Sequence, residues 1–239
     1  MTAAPSDKTL LALFQPGLLA GKRALITGGG TGIGFATARL LGRLGAKVLI
    51  AARRKEVLQT AEAALQAEGI AASSQALNIR DLQSVEALFT DLEAAERLPD
   101  LLINNAGGQF PAPAAEISPN GFRAVFDLNV QGNWQMSHGY AKRLIAAGRG
   151  GRIINIVFGH TGPIPYFAHA QAARAAIVNL TKTLALEWGQ KGILVNAVGP
   201  GAIRTGALED YSRDQGWSDP TRRLPVPRMG TAMEVAAAG

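Results

Sequence analysis

Apolar positions along this chain follow two alternating patterns. Short, nearly continuous apolar runs occupy residues 24–27, 47–51, 101–103, 152–157 and 194–198, with a weaker run at 73–77. Between them lie longer stretches with apolar residues at helical spacing, 34–44, 54–68, 82–97, 120–147 and 170–188. A run that is apolar throughout suits a strand buried on both faces, and an amphipathic stretch suits a helix covering one of those faces. The alternation predicts an α/β fold with one Rossmann-type, doubly wound parallel sheet. The 239 residues fit one such domain, 1–239, because domains of this class run to about 200–250 residues. No internal repeat or low-complexity linker interrupts the pattern. It loosens over 206–230, where Pro220, Pro225 and Pro227 mark a substrate-side loop with short helices.

Composition adds mainly exclusions. No apolar run approaches the ~18–20 residues of a membrane span. The first ten residues carry Asp7 and Lys8 rather than the apolar region of a signal peptide. A cytoplasmic protein without a membrane partner is the expectation. The chain has no cysteine, so disulfides, thiolate metal sites and a cysteine nucleophile are excluded, and no metal site is expected. Net charge is +6, but the basic residues are scattered, with only short pairs such as Arg53-Arg54 and Arg222-Arg223. That scatter suits an anionic cofactor or substrate and gives no stripe for nucleic acid.

The first apolar run leads into Thr27-Gly28-Gly29-Gly30-Thr31-Gly32-Ile33-Gly34, and a helical pattern follows. Strand, glycine turn and helix are the setting in which such a loop binds a dinucleotide. Glycines let the backbone approach the pyrophosphate, and the first helix amides point at the anion. Gly28, Thr31, Gly32, Ile33 and Gly34 are the candidate contacts. The second run ends in Arg53-Arg54. An acidic residue there would take the ribose hydroxyls of NAD, whereas arginine pairs with a 2′-phosphate, so NADP (as NADPH) is the expected cofactor. Asn104-Asn105-Ala106-Gly107 follows the fourth run and suits a wall against the cofactor. Pro200-Gly201-Ala202-Ile203-Arg204-Thr205 follows the sixth and offers a hydroxyl and backbone amides to the nicotinamide end.

Taken together these segments resemble the short-chain dehydrogenase/reductase family. Asn129 within Asp127-Leu128-Asn129-Val130 belongs to the match, as does Asn179-Leu180-Thr181 before Leu184-Ala185-Leu186-Glu187. The resemblance covers about residues 20–205, in family order. Further pieces resemble the peroxisomal trans-2-enoyl-CoA reductase branch and its 2,4-dienoyl-CoA reductase neighbours. They are Pro16-Gly17-Leu18-Leu19, Asn78-Ile79-Arg80, Gly107-Gly108-Gln109-Phe110, and Ala172-Ala173-Arg174-Ala175 with Glu187-Trp188. The resemblance implies reduction of an acyl-CoA double bond with NADPH, cofactor contacts at Asn78, Ile79, Asn105, Ala106, Gly107, Pro200, Gly201, Ile203 and Thr205, and a homo-oligomer, a tetramer in the family. Relatives acting on terpenoid alcohols are similar too.

The chain departs from the family in two places. The family's usual site is a serine, then a tyrosine, then a lysine four residues later. Alignment on Asn179-Leu180-Thr181 puts Val157, Ala170 and Arg174 at those positions, and only Asn129 remains. Arg174 still offers guanidinium donors to the nicotinamide ribose. Tyr166, His160 and His169 are the nearby candidate proton donors, and Gln109 and Phe110 would line the substrate side. Asn129, Arg174 and Tyr166 are the candidate catalytic residues. The family also ends in a further helix and strand, whereas this sequence stops early in that helix, so a bare sheet edge is expected.

Carbonyl–alcohol interconversion needs a proton at oxygen and suffers most from losing the tyrosine. Enoyl reduction needs hydrogen-bond donors at the thioester oxygen, and its proton goes to carbon. Three readings stay open: an NADPH-dependent enoyl-CoA reductase, an NADP-dependent alcohol or ketone dehydrogenase using Tyr166, and a non-catalytic dinucleotide-binding protein.

Overall fold

A computed structural model describes residues 3–157, 163–206 and 226–239. Six parallel strands form one sheet: β1 (Arg23–Thr27), β2 (Lys47–Ala52), β3 (Ala72–Ala76), β4 (Leu101–Asn104), β5 (Gly151–Ile156) and β6 (Ile193–Val198). Their order is β3-β2-β1-β4-β5-β6. Each apolar run of the sequence has become one of these strands.

The register explains why the runs are continuous. Leu25 pairs with Leu102, Leu102 with Ile153, and Ile153 with Val195. That row is buried on one face, under α4 (Leu82–Ala94), α6 (Gly132–Ala146) and α7 (Ala168–Gly189). One step along the strands, Ile26, Ile50 and Ile103 are buried on the other face, under α2 (Gly32–Arg43) and α3 (Lys55–Ala67). Side chains alternate with a period of two, so a strand covered on both faces must be apolar at every position. The polar β3, ASSQA, is an edge strand and half-exposed. Among the described residues β6 pairs with β5 and forms the other edge.

Two elements differ from the sequence expectation. The helix expected over 120–147 is divided into α5 (Pro119–Phe126), a π turn (Asp127–Gln131) and α6. A π turn inserts one residue into an otherwise continuous helix, and the helical pattern runs on at either side of it. It turns Asn129 inward. A short α1 (Asp7–Leu11) also forms, and with α8 (Ala232–Ala238) it packs on α2 through Leu10, Leu40, Leu44 and Met233.

The strand order places β1 beside β4, while β2 and β5 lead away in opposite directions. A crevice opens at such a reversal, beyond the strands' carboxyl ends, and ligands bind there in open α/β sheets.

Candidate functional site

The two chains leaving β1 and β4 are laced together at that crevice. Thr27 Oγ1 accepts from the amides of Asn105 (3.1 Å) and Ala106 (3.0 Å) and donates to Ile103 O (3.3 Å). Asn105 Nδ2 donates to Thr27 O (3.0 Å) and Gly28 O (3.2 Å). Gly28 and Gly32 take φ of +66° and +53°, which glycine adopts without steric cost. A Cβ on Gly34 would run into Gly28 O and Asn105 Nδ2. The turn is therefore closed on the side of Asn105.

The start of α2 carries uncapped amides. The N-cap of α2, Thr31, makes no side-chain cap bond, so the first amides of this helix have no partner from the cap. Asp81, Ser118 and Thr231, by contrast, cap α4, α5 and α8 with their side chains. The Thr205 methyl lies 3.6 Å from where a Gly32 Cβ would stand, so the loop after β6 roofs the glycine turn. Ile203 in that loop bridges Gly230, with Arg204 N donating to Gly230 O and Gly230 N to Ala202 O, both 2.9 Å. Pro200 and Gly201 lead into the bridge. Arg53 and Arg54 follow β2 and are both exposed. Asn78 and Ile79 follow β3. Asn78 Oδ1 accepts from Arg80 N at 3.3 Å, and Ile79 is buried against Gly132. A short glycine floor, free helix amides and an exposed arginine pair fit a dinucleotide with an additional phosphate.

On the other side of the crevice residues 107–112 run antiparallel along the start of α7. A Cβ on Gly107 would strike the Arg174 guanidinium and stand 2.7 Å from Asn129 Oδ1. Phe110 meets His169 edge-on at 4.5 Å between ring centroids. Ala112 N donates to Tyr166 O at 2.9 Å. The fold thus brings Gly107, Asn129 and Arg174 together and sets Tyr166 at the head of the same helix. Asn129 is buried, and its amide is fully engaged. Nδ2 donates to Gly108 O and Val125 O, both at 2.8 Å, and Oδ1 accepts from Gly108 N at 3.2 Å. Arg174 Nη1 donates to Ile156 O at 2.8 Å. Tyr166 is half-exposed with φ +69°, a conformation that costs a non-glycine residue about 1–2 kcal/mol. Such strain collects at functional sites.

The positions of the family's serine and tyrosine are apolar in space as well as in sequence. Val157 is buried at the end of β5 with its amide on Val198 O. Ala170 is buried in a cluster with Val125, Phe167 and Ala173. Beside it His169 is completely buried, and burial pushes its pKa below the ordinary imidazole value. His160, Pro220, Pro225 and the Arg222-Arg223 pair lie outside the described residues.

A buried polar ladder escaped the sequence reading. Asn104 Nδ2 donates to Ser137 Oγ (2.9 Å) and Asn155 Oδ1 (3.0 Å), Asn155 Nδ2 donates to Thr181 Oγ1 (2.9 Å), and Thr181 Oγ1 donates to Ile177 O (2.8 Å). It ties β4, β5, α6 and α7 together below the site. Asn104 and Asn155 are register partners. A polar residue at matching points of two apolar strands was the available signal.

A glycine turn at the switch point of a parallel sheet, with an asparagine clamp and a basic residue facing it across the crevice, defines a nicotinamide-dinucleotide oxidoreductase class. The chain belongs to the short-chain dehydrogenase family, whose model matches residues 22–216. It is 37% identical to a peroxisomal 2,4-dienoyl-CoA reductase of Arabidopsis thaliana, over 94% of this chain and 79% of the relative. A citronellol catabolism dehydrogenase of Pseudomonas aeruginosa superposes with a TM-score of 0.83 at 34% identity, covering 95% and 88% of the two chains. A gluconate 5-dehydrogenase of Burkholderia cenocepacia in complex with NADP and tartrate gives 0.86 at 33%, covering 93% and 88%. Among the described residues no helix is long and apolar enough to cross a membrane.

Proposed function

We propose that this protein is an NADPH-dependent reductase of a double bond conjugated to a CoA thioester, a 2-enoyl- or 2,4-dienoyl-CoA. The observation that carries this reading is the apolar burial of Val157 and Ala170, where a carbonyl reductase needs its hydroxyl donors. The likeness to a dienoyl-CoA reductase supports the same chemistry. Residues 1–239 are read as one dinucleotide-binding domain.

In this reading the α2 amides, the glycine floor and Thr205 hold the diphosphate. Arg53, with Arg54 beside it, pairs with the 2′-phosphate. Asn105, Ala106 and Gly107 wall the nucleotide, and Arg174 donates to the nicotinamide ribose. Asn129 acts by holding Gly108, and through it the loop along α7. NADPH, when bound, supplies the hydride, which adds to the alkene carbon remote from the thioester. Charge then gathers on the thioester oxygen, where the protein must offer donors. The proton reaches the carbon next to the thioester from water or from Tyr166. NADPH consumption across a chain-length series of 2-enoyl- and 2,4-dienoyl-CoAs tests the reading. Tight NADPH binding with no turnover of any thioester would sink it.

A second reading, an NADP-dependent alcohol or ketone dehydrogenase, draws on the strained Tyr166 and the likeness to the citronellol catabolism dehydrogenase. It requires Tyr166→Phe to abolish oxidation of alcohols. The expected compartment is the cytoplasm, although the Arabidopsis relative is named peroxisomal. A homo-oligomer is the expected assembly, as the family resemblance implies.

A further inference from the structure

His169 is a fully buried polar side chain that the reading above does not use. It has no exposed surface, and among the described residues neither ring nitrogen has a hydrogen-bond partner. A neutral imidazole carries one N–H donor and one acceptor. Leaving both unpaired away from water is destabilising, and buried polar groups of native proteins almost always find partners. Nothing in the packing of α7 requires a histidine at this position, since the cluster around its neighbours Ala170 and Ala173 is apolar.

Its surroundings indicate what the ring is kept for. Phe110 covers it edge-on and is itself more than a third exposed, at 38%. The Phe110 ring also meets Gly121, where a side chain would touch it at 2.9 Å. A partly exposed ring thus lies directly against the buried imidazole. The segment that carries it also carries Gly107 and Gly108, which face Arg174 and Asn129.

We propose that His169 donates a hydrogen bond to the carbonyl oxygen of the acyl thioester once Phe110 turns aside. The proposal rests on the thioester reading of the preceding subsection. As hydride adds to the remote alkene carbon, the alkene electron pair moves toward the thioester and charge collects on its oxygen. The His169 N–H lies against that oxygen and keeps its proton. The balancing proton goes from water to the carbon next to the thioester. A donor held dry and unpaired has no competing partner to give up, so its full strength falls on the developing charge.

The test combines kinetics, melting and nuclear magnetic resonance on the full chain. His169→Leu should lower kcat about a hundredfold with the best thioester, leave NADPH affinity unchanged, and melt at or above the wild-type temperature, because two unpaired buried nitrogens disappear. His169→Gln, which keeps a donor, should recover part of the rate. The chain has three histidines, so imidazole 15N resonances can be assigned by substitution. Addition of a saturated acyl-CoA together with NADP should shift those of His169. An unchanged kcat in His169→Leu overturns the proposal. So does a His169 resonance unmoved by saturating acyl-CoA, and that measurement uses the unmutated chain, so a misfolded variant does not matter. Failure of the wild-type protein to reduce any thioester has a separate meaning. It removes the parent reading, while the resonance shift still decides whether an acyl thioester lies on His169.

Discussion

The two sides of the crevice present their polar groups in opposite ways. On the glycine side backbone is left open: Thr31 does not cap α2, and the turn below it is too tight for any side chain. On the α7 side, apart from the half-exposed Tyr166, the polar side chains named are occupied or covered. Asn129 spends its amide on Gly108 and Val125, His169 is sealed under Phe110, and Val157 and Ala170 offer nothing. Dinucleotide binding built from backbone and shape depends on a few glycines that keep side chains out. Chemistry built from three or four side chains can be rewritten by replacing them, which is why one fold serves many reactions.

The contrast can be broken most severely at the glycine turn. Gly34→Ala forces a methyl into Gly28 O and Asn105 Nδ2. Calorimetry should find NADPH binding abolished, and denaturant unfolding should show a loss of about 1–3 kcal/mol. Arg53→Ala comes next. It should weaken NADPH about tenfold, the scale of one charge-assisted hydrogen bond, and leave NADH affinity unchanged. Equal losses for both nucleotides would mean that the guanidinium is not on the 2′-phosphate.

The α7 side is sharpened by smaller effects. Tyr166→Gly should stabilise the protein by about 1 kcal/mol, because glycine tolerates φ +69°. Tyr166→Phe should leave stability unchanged and report only the hydroxyl. The smallest effect is a pH dependence. Burial depresses the His169 pKa below its ordinary value of 6.5. As pH falls below that value the unfolded chain takes up a proton that the folded one refuses, so stability drops, by at most about 1.4 kcal/mol per pH unit. His169→Leu should lack this part of the acid sensitivity. Parallel melting curves for the two proteins below neutral pH would contradict it.

Much of the architecture was legible because burial on both faces leaves a direct trace in strand composition. The glycine turn was legible because few other residues fit it, and the place of Arg53 just after β2 because the apolar run ends there. The π turn was not, since one residue added within a helical stretch leaves the pattern on either side of it helical; Asn129, within it, is buried. Nor was the pairing of residues 107–112 with α7, because Gly107 and Phe110 meet Arg174 and His169 across more than fifty positions of chain. His169 itself was visible as a candidate donor. Its lack of partners was not, because hydrogen-bond satisfaction is a property of packing that no local pattern encodes.

The Ile203–Gly230 bridge bears on how such a protein can change over generations. Arg204 and Gly230 hold the chain's exit and re-entry at one point, and Arg228 is fastened to Glu234 at 2.7 Å just beyond it. Between fixed ends, doubling the length of a flexible loop costs only about 0.6 kcal/mol. The contacts at Ala202, Arg204 and Gly230, and not the residues between them, therefore hold Thr205 in place over Gly32. A change of sequence outside those pinned points leaves the floor of the glycine turn, with its contacts to Asn105, untouched.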